Sequence, residues 1–184
     1  MIAVYVLELH EALYESHELA APAYALRGWR IFAPCEQDDA DTCEINCSVV
    51  AWQERELSDY IALMAGFCRK AASGLPLKEL FVAKKLHEVA DIEVTRKGRG
   101  RMTTKLWQLR KQDVRVLFFY GEGNHIVIAA HAFIKRGDKV PPEAVEAGRQ
   151  VAQTYFNELD ASSIQTVTLQ GENHEFSKAH QKSR

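Results

Sequence analysis

Hydrophobic and polar positions alternate most clearly between Thr103 and Phe156. The pattern there predicts three consecutive strands, about 104–110, 114–120 and 125–133, followed by an amphipathic helix. Arg115, Leu117 and Phe119 share one face of the middle strand, and Val116, Phe118 and Tyr120 share the other. Both faces are largely apolar, so this strand is predicted to be central and covered on both sides. The links Lys111 to Asp113 and Gly121 to Asn124 are hairpin-like, the second carrying two glycines that permit positive φ. Links this short make the three strands antiparallel neighbours. Pro141 and Pro142 suit the first turn of a helix, where the missing amide costs little. Ala144, Val145, Gly148, Val151, Ala152, Tyr155, Phe156 and Leu159 then give a helical stripe.

Upstream the pattern is weaker. Met1 to Leu9 and Gly28 to Phe32 are candidate strands, Leu9 to Ala20 a candidate helix, and the acidic run from Cys35 to Thr42 a loop. Ile45, Cys47, Val49 and Ala51 predict a strand ending near Trp52. Leu57, Ile61, Met64, Ala65, Cys68 and Ala72 predict a helix over about 54–72. A second helix, about 77–90, would complete a helical hairpin that covers the sheet. Residues 91–102 read as a basic loop, Ile164 to Leu169 as a last short strand, and 171–184 as a polar tail. The fold class expected is α+β, with the helical hairpin and the C-terminal helix packed on a small, mainly antiparallel sheet. The expected division is an acidic N-terminal extension over 1–42, a core domain over 43–160 and a tail over 161–184.

The 184 residues suffice for one domain with a core plus an extension. No apolar run approaches the roughly 18 residues needed to span a bilayer, and Met1 to Glu15 makes a poor signal peptide, so a cytoplasmic protein with no membrane partner is expected. The net charge of −2 conceals a polarity. Residues 1–60 hold twelve acids against three arginines, whereas 96–150 hold twelve Lys or Arg against five acids. A basic half on an otherwise acidic chain is the footprint of a polyanion partner. Cys35, Cys43, Cys47 and Cys68 lack the paired spacing usual for zinc, so reduced thiols and no metal or other cofactor are expected.

Three stretches carry a family resemblance: Leu106-Trp-Gln-Leu-Arg110, Val114-Arg-Val-Leu-Phe-Phe-Tyr120 and His131-Ala-Phe-Ile-Lys-Arg136 with Pro141 beyond. Arg110 ends the first motif, Arg115 opens the second, and His131, Phe133, Lys135 and Arg136 fit the third. Together they resemble the RelE/ParE superfamily of bacterial toxins, most closely its HigB-like, phage-related branch. The likeness spans about 44–159 and is specific over 106–147. It implies a RelE-like fold and the toxin of a type II toxin–antitoxin pair, with a small DNA-binding antitoxin as partner. The HigB-like likeness implies a ribosome-dependent endoribonuclease that cuts mRNA without a metal. A catalytically silent RNA-, ribosome- or partner-binding protein of the same fold and a ParE-like gyrase inhibitor are the alternatives.

Metal-free RNA cleavage needs a 2′-hydroxyl relieved of its proton, a stabilised phosphorane-like charge and a protonated leaving oxygen. Arginine meets phosphate oxygens in bidentate fashion and stays charged. Arg115 is the first candidate for that role and Arg110 the second. Lys135 would sit near the same edge, and His131 is the candidate acid–base group. Arg136, Lys105, Arg99 and Arg101 are candidate phosphate contacts. His131 is equally readable as a core histidine beside Val127, Ala129 and Phe133. Tyr155 reads as packing, as do most of Trp107, Phe118, Phe119, Tyr120 and Phe133, although such aromatics can also stack bases.

Overall fold

The computed structural model describes residues 5–8, 28–36, 43–123 and 125–167. The candidate helix at 9–20, most of the acidic loop and the polar tail lie outside them. The fold is α+β, built on one mixed sheet of seven strands. The strands are β1 (Tyr5–Glu8), β2 (Arg30–Cys35), β3 (Leu86–Arg96), β4 (Gly100–Lys111), β5 (Val114–Tyr120), β6 (Ile126–Ile134) and β7 (Gln165–Val167). Their order is β3-β4-β5-β6-β2-β1-β7. β3 to β6 form an antiparallel meander, as short links require. β2 joins β6 in parallel, and β1 pairs antiparallel with β2 and parallel with β7. Residues 30–35, placed by the sequence in the segment before 43, are thus a strand of this sheet.

Among the described residues four helices accompany the strands: α1 (Glu44–Cys47), α2 (Glu54–Ala71), α3 (Leu77–Leu80) and α4 (Pro142–Asp160). α2 starts at a capping box, in which Gln53 and the Glu56 side chain satisfy each other's first-turn groups. Its apolar stripe buries Tyr60, Leu63, Met64, Phe67, Cys68 and Ala71 against Val114, Val116 and Phe118 of β5. α4 opens at the Pro141–Pro142 pair as expected. It buries Ala144, Val151, Ala152, Tyr155 and Phe156 against Leu106, Leu117 and Phe119 on the other face. A Cβ on Gly148 would come within 3.0 Å of the Leu106 side chain, so the missing side chain lets α4 approach β4 closely. β5 is therefore central and buried on both sides, as its alternation predicts.

Three expectations are corrected. The strand predicted over 45–52 is the single turn α1 followed by further turns. Ile45 and Val49, four apart, are buried together, and the Ser48 hydroxyl donates to the Ile45 carbonyl at 2.6 Å while accepting from Ala132 N–H at 3.2 Å. The helix predicted over 77–90 is only α3, and the helical hairpin is absent. The segment from Leu86 is a strand with a bulge between Glu88 and Ala90, and from Asp91 the burial period is two rather than 3.6, with Ile92 and Val94 buried between exposed Asp91, Glu93 and Thr95. The basic loop over 91–102 is the β3–β4 hairpin, whose turn uses Gly98 and Gly100 at φ of 74° and 79°.

The far end of that hairpin is fastened by charge. Arg96, largely buried, pairs with Asp160 at the end of α4 at 2.5 Å and with Glu122 in the β5–β6 turn, and its guanidinium lies 5.1 Å from the Phe156 ring centroid. The hydrogen bond to Asp160 is the main cause that raises the Arg96 pKa further.

Phe118 is fully buried at the centre of the α2 layer, 5.3 Å from the Phe67 ring centroid. Phe118→Ala is expected to lower unfolding free energy by about 3–5 kcal/mol. A fall in the urea midpoint at unchanged slope would show it.

Candidate functional site

Along the α4 face of the sheet, α4 lies over Leu106 and Phe119, whose ring meets Tyr155 and Phe156. The next two cross-strand rows toward the start of β5 carry most of the polar side chains on this face. One runs His87, Gln108, Leu117 and His131 across β3, β4, β5 and β6. The next runs Arg110, Arg115 and Phe133 across β4, β5 and β6. His87, Arg110 and His131 are half-buried, while Gln108 and Arg115 are 2 % and 6 % exposed.

Arg115 is the unusual member. Its Nη1 donates to the carbonyls of Gln112 at 2.5 Å and Val114 at 2.9 Å, which anchors it to the β4–β5 turn. Its buried Nε has no hydrogen-bond partner. Arg110 stands directly opposite on β4, so two like charges share one cross-strand position. Burial, then Arg110, disfavours the Arg115 charge, and Asp113 offsets part of this. Among the described residues neither arginine makes an ion pair with a carboxylate. A pair of this kind is held by packing and stabilised by an incoming anion.

His87 lies beside this pair. Its Nε2 is 3.1 Å from the Gln108 amide Nε2, where the amide N–H donates and the neutral imidazole accepts. Burial first, then Arg110, Arg115 and Lys135, lowers the His87 pKa below the ordinary value. Lys135 follows β6 directly, its N–H donating to the Asp113 carbonyl at 2.8 Å. Two histidines kept neutral and three cations therefore converge at one end of the sheet.

His131 reaches this face through a bulge. Phe118 pairs with Ala129 and Leu117 with His131, so Ala130 is the extra residue. Val127 and Ala129 belong to the α2 side, whereas Phe133 belongs to the α4 side and stacks with His131 at 6.5 Å and 15°. The expectation that His131 shares one face with Val127, Ala129 and Phe133 is corrected by that single inserted residue. Burial lowers the His131 pKa.

Arg115, Arg110, His131 and Lys135 are thus brought to one end of the sheet, and exposed Arg136 follows Lys135 in the chain. The other candidates are placed elsewhere. Lys105 lies on the opposite face by alternation and bonds Glu88 at 2.6 Å. Arg101 is exposed near the hairpin tip, nine residues and about 30 Å along β4 from Arg110. Arg99, 61 % exposed, pairs with Glu122 at 3.1 Å. Tyr155 is core, its hydroxyl accepting from Glu122 N–H at 3.2 Å. Trp107, Phe118 and Phe119 are core as well. His87 was missed in the sequence because 77–90 reads as a helix, and Gln108 with it because its notable partner is His87; the alternation of Ile92 and Val94 with Asp91, Glu93 and Thr95 was the available signal.

Cys35, Cys43 and Cys68 are buried and Cys47 is exposed. The backbones of Cys43 and Cys35 pair in an isolated antiparallel β-bridge, both thiols are free, and the hydrogen bond to the Cys35 thiol, then burial, keeps Cys43 protonated. Among the described residues no group of three His, Cys, Asp or Glu side chains is placed to hold a metal ion, and no helix is long and apolar enough to cross a membrane.

Residues 77–153 match the family described as Phage derived protein Gp49-like (DUF891), which belongs to the RelE/ParE-like toxin superfamily. That segment, under half of the chain, runs from α3 into α4 and contains every residue of the two polar rows. The match supports the superfamily of the expected resemblance and does not reach the HigB-like branch. The family is associated with toxins of toxin–antitoxin systems, which implies an antitoxin partner. No curated protein and no solved structure matches the chain.

Both site histidines have folded pKa values below the ordinary 6.5. The unfolded chain therefore binds more protons in that window. The stability these groups contribute is present above pH 6.5 and is lost as pH falls through the folded values. His131→Asn is expected to flatten this acid decline, measured by urea unfolding between pH 7 and pH 5.

Proposed function

We propose that this chain is the toxin of a type II toxin–antitoxin pair and that it breaks RNA at the polar rows on the α4 face. The observation that carries the reading is the Arg110–Arg115 pair, two arginines opposed across β4 and β5 with no carboxylate of the described residues ion-paired to either. A phosphodiester suits that position, because it accepts from both and relieves their repulsion. As the 2′-oxygen attacks phosphorus, charge grows on the non-bridging oxygens, and fixed guanidinium groups stabilise it without reorganising.

A neutral imidazole supplies the other half of the chemistry. His131 keeps a basic nitrogen at pH 7, able to take the proton leaving the 2′-hydroxyl, whereas the acceptor nitrogen of His87 is occupied by the Gln108 amide. The 2′-oxygen bonds to phosphorus, the bond to the 5′-oxygen breaks, and that oxygen takes back, through water, the proton that the imidazole accepted. The products are a 2′,3′-cyclic phosphate and a 5′-hydroxyl. Lys135 and Arg136 follow β6 and suit flanking phosphates, and mRNA presented by the ribosome is the substrate this reading favours.

Induced expression in bacteria is expected to arrest growth and leave cleaved transcripts, relieved by the cognate antitoxin. Arg110→Ala is the cleaner active-site variant, since Arg110 is half-exposed whereas Arg115 also holds the β4–β5 turn. Removing one such donor is expected to slow cleavage by about a hundredfold or more. Toxicity equal to the parent in both Arg110→Ala and Arg115→Ala would dispose of this site.

A further inference from the structure

Gln108 is almost fully buried, yet its side-chain carbonyl oxygen Oε1 has no hydrogen-bond partner. A buried acceptor left unmet is destabilising and is rare in native structures. In the observed orientation the Nε2 end donates to His87 at 3.1 Å. His87 accepts there in the neutral tautomer whose Nε2 carries no proton, and burial, then the cations Arg110, Arg115 and Lys135, favours the neutral state. With that tautomer the carbonyl is the end left over.

The neighbouring orphan has the opposite character. Arg115 Nε is a buried donor without a partner. Gln108 pairs with Leu117 and Arg110 with Arg115, so Gln108 and Arg115 are diagonal neighbours on one face, about 7–8 Å apart at the backbone. An unmet acceptor and an unmet donor on adjacent strands suit a ligand that carries a donor close to an anionic acceptor. A ribonucleotide has that pairing within one unit, in its 2′-hydroxyl and its 3′-phosphate. A deoxynucleotide offers the phosphate and lacks the donor.

We propose that Gln108 is a specificity-determining residue that accepts a hydrogen bond from the 2′-hydroxyl of the bound strand before cleavage, a hydrogen bond that gives way to His131 when the proton leaves, so that the site distinguishes RNA from DNA. This rests on the reading of Arg110 and Arg115 as the phosphate site. His87, through Gln108, acts as the positioning residue for that recognition. Arg110 and His131, the half-exposed neighbours on the same face, are the side chains that must yield to admit the sugar, because Oε1 is closed to solvent.

The test uses the full chain and three twelve-nucleotide strands: oligouridylate, its 2′-deoxy form and its 2′-fluoro form. All three share base and phosphate count, and the fluoro strand keeps the ribose-like pucker while lacking the donor. The parent is expected to bind the ribo strand about five- to tenfold more tightly than either of the others, the worth of one hydrogen bond. Gln108→Met, close in volume, is expected to bind all three alike, at the level the parent shows for the fluoro strand. Gln108→Glu retains an acceptor and is expected to keep the preference while weakening all three through its charge. Melting temperatures confirm that each variant is folded. Equal binding of the three strands by the parent, or an undiminished preference in Gln108→Met, overturns the proposal. Arg110→Ala is expected to weaken all three strands alike. If it does so while the parent shows no ribo preference, recognition by Gln108 fails and the phosphate site stands; if the parent binds none of the strands, both fail.

Discussion

A strand buried on both faces needs an apolar layer above and another below. β5 finds α2 on one side and α4 on the other. Val116 and Phe118 serve the first layer, and Leu117 and Phe119 the second. The antiparallel meander from β3 to β6 then follows from two short turns and the alternation of the flanking strands. The parallel addition of β2 extends the α2 layer through Ile31, Ala33 and Cys35. The polar end of the sheet exists because this double burial reaches Arg115, where a charge enters a buried strand and is met by carbonyls of the adjacent turn and partly offset by Asp113.

The contrast between the two basic regions separates structural charge from available charge. At the hairpin tip, Arg96 and Arg99 are answered by Asp160 and Glu122, and the result is a clamp on three remote segments. At the opposite end of β4, Arg110 and Arg115 face one another and have carbonyls and imidazoles for neighbours. Similar residues thus do different work, and the local supply of carboxylates decides which.

Much of this was legible in the residues. The three strands around β5, the helix opened by Pro141 and Pro142, and Arg115 and Arg110 as neighbours follow from alternation, turn chemistry and register. The segment from 77 to 102 was not legible, because Leu77, Leu80 and Phe81 satisfy a helical period for one turn, and the bulge between Glu88 and Ala90 delays the alternation to Asp91. That error hid His87 and Gln108 together, since the second becomes notable only opposite the first. The face of His131 was illegible for a different reason. A bulge changes the parity of a strand without marking the sequence, and Ala130 is an ordinary strand residue.

The parallel pairing of β2 with β6 sets an order on the making of this protein. Arg30 must meet Ile126, and Phe32 must meet Ile128, across nearly a hundred residues of chain. The hairpins β3–β4, β4–β5 and β5–β6 close over a few residues each and can form as soon as they are synthesised. During synthesis β2 leaves the ribosome long before its partner exists, and it waits with an unpaired edge until β6 follows. The meander that bears the polar rows is thus assembled from local contacts, and the N-terminal strand is among the last pieces set in place.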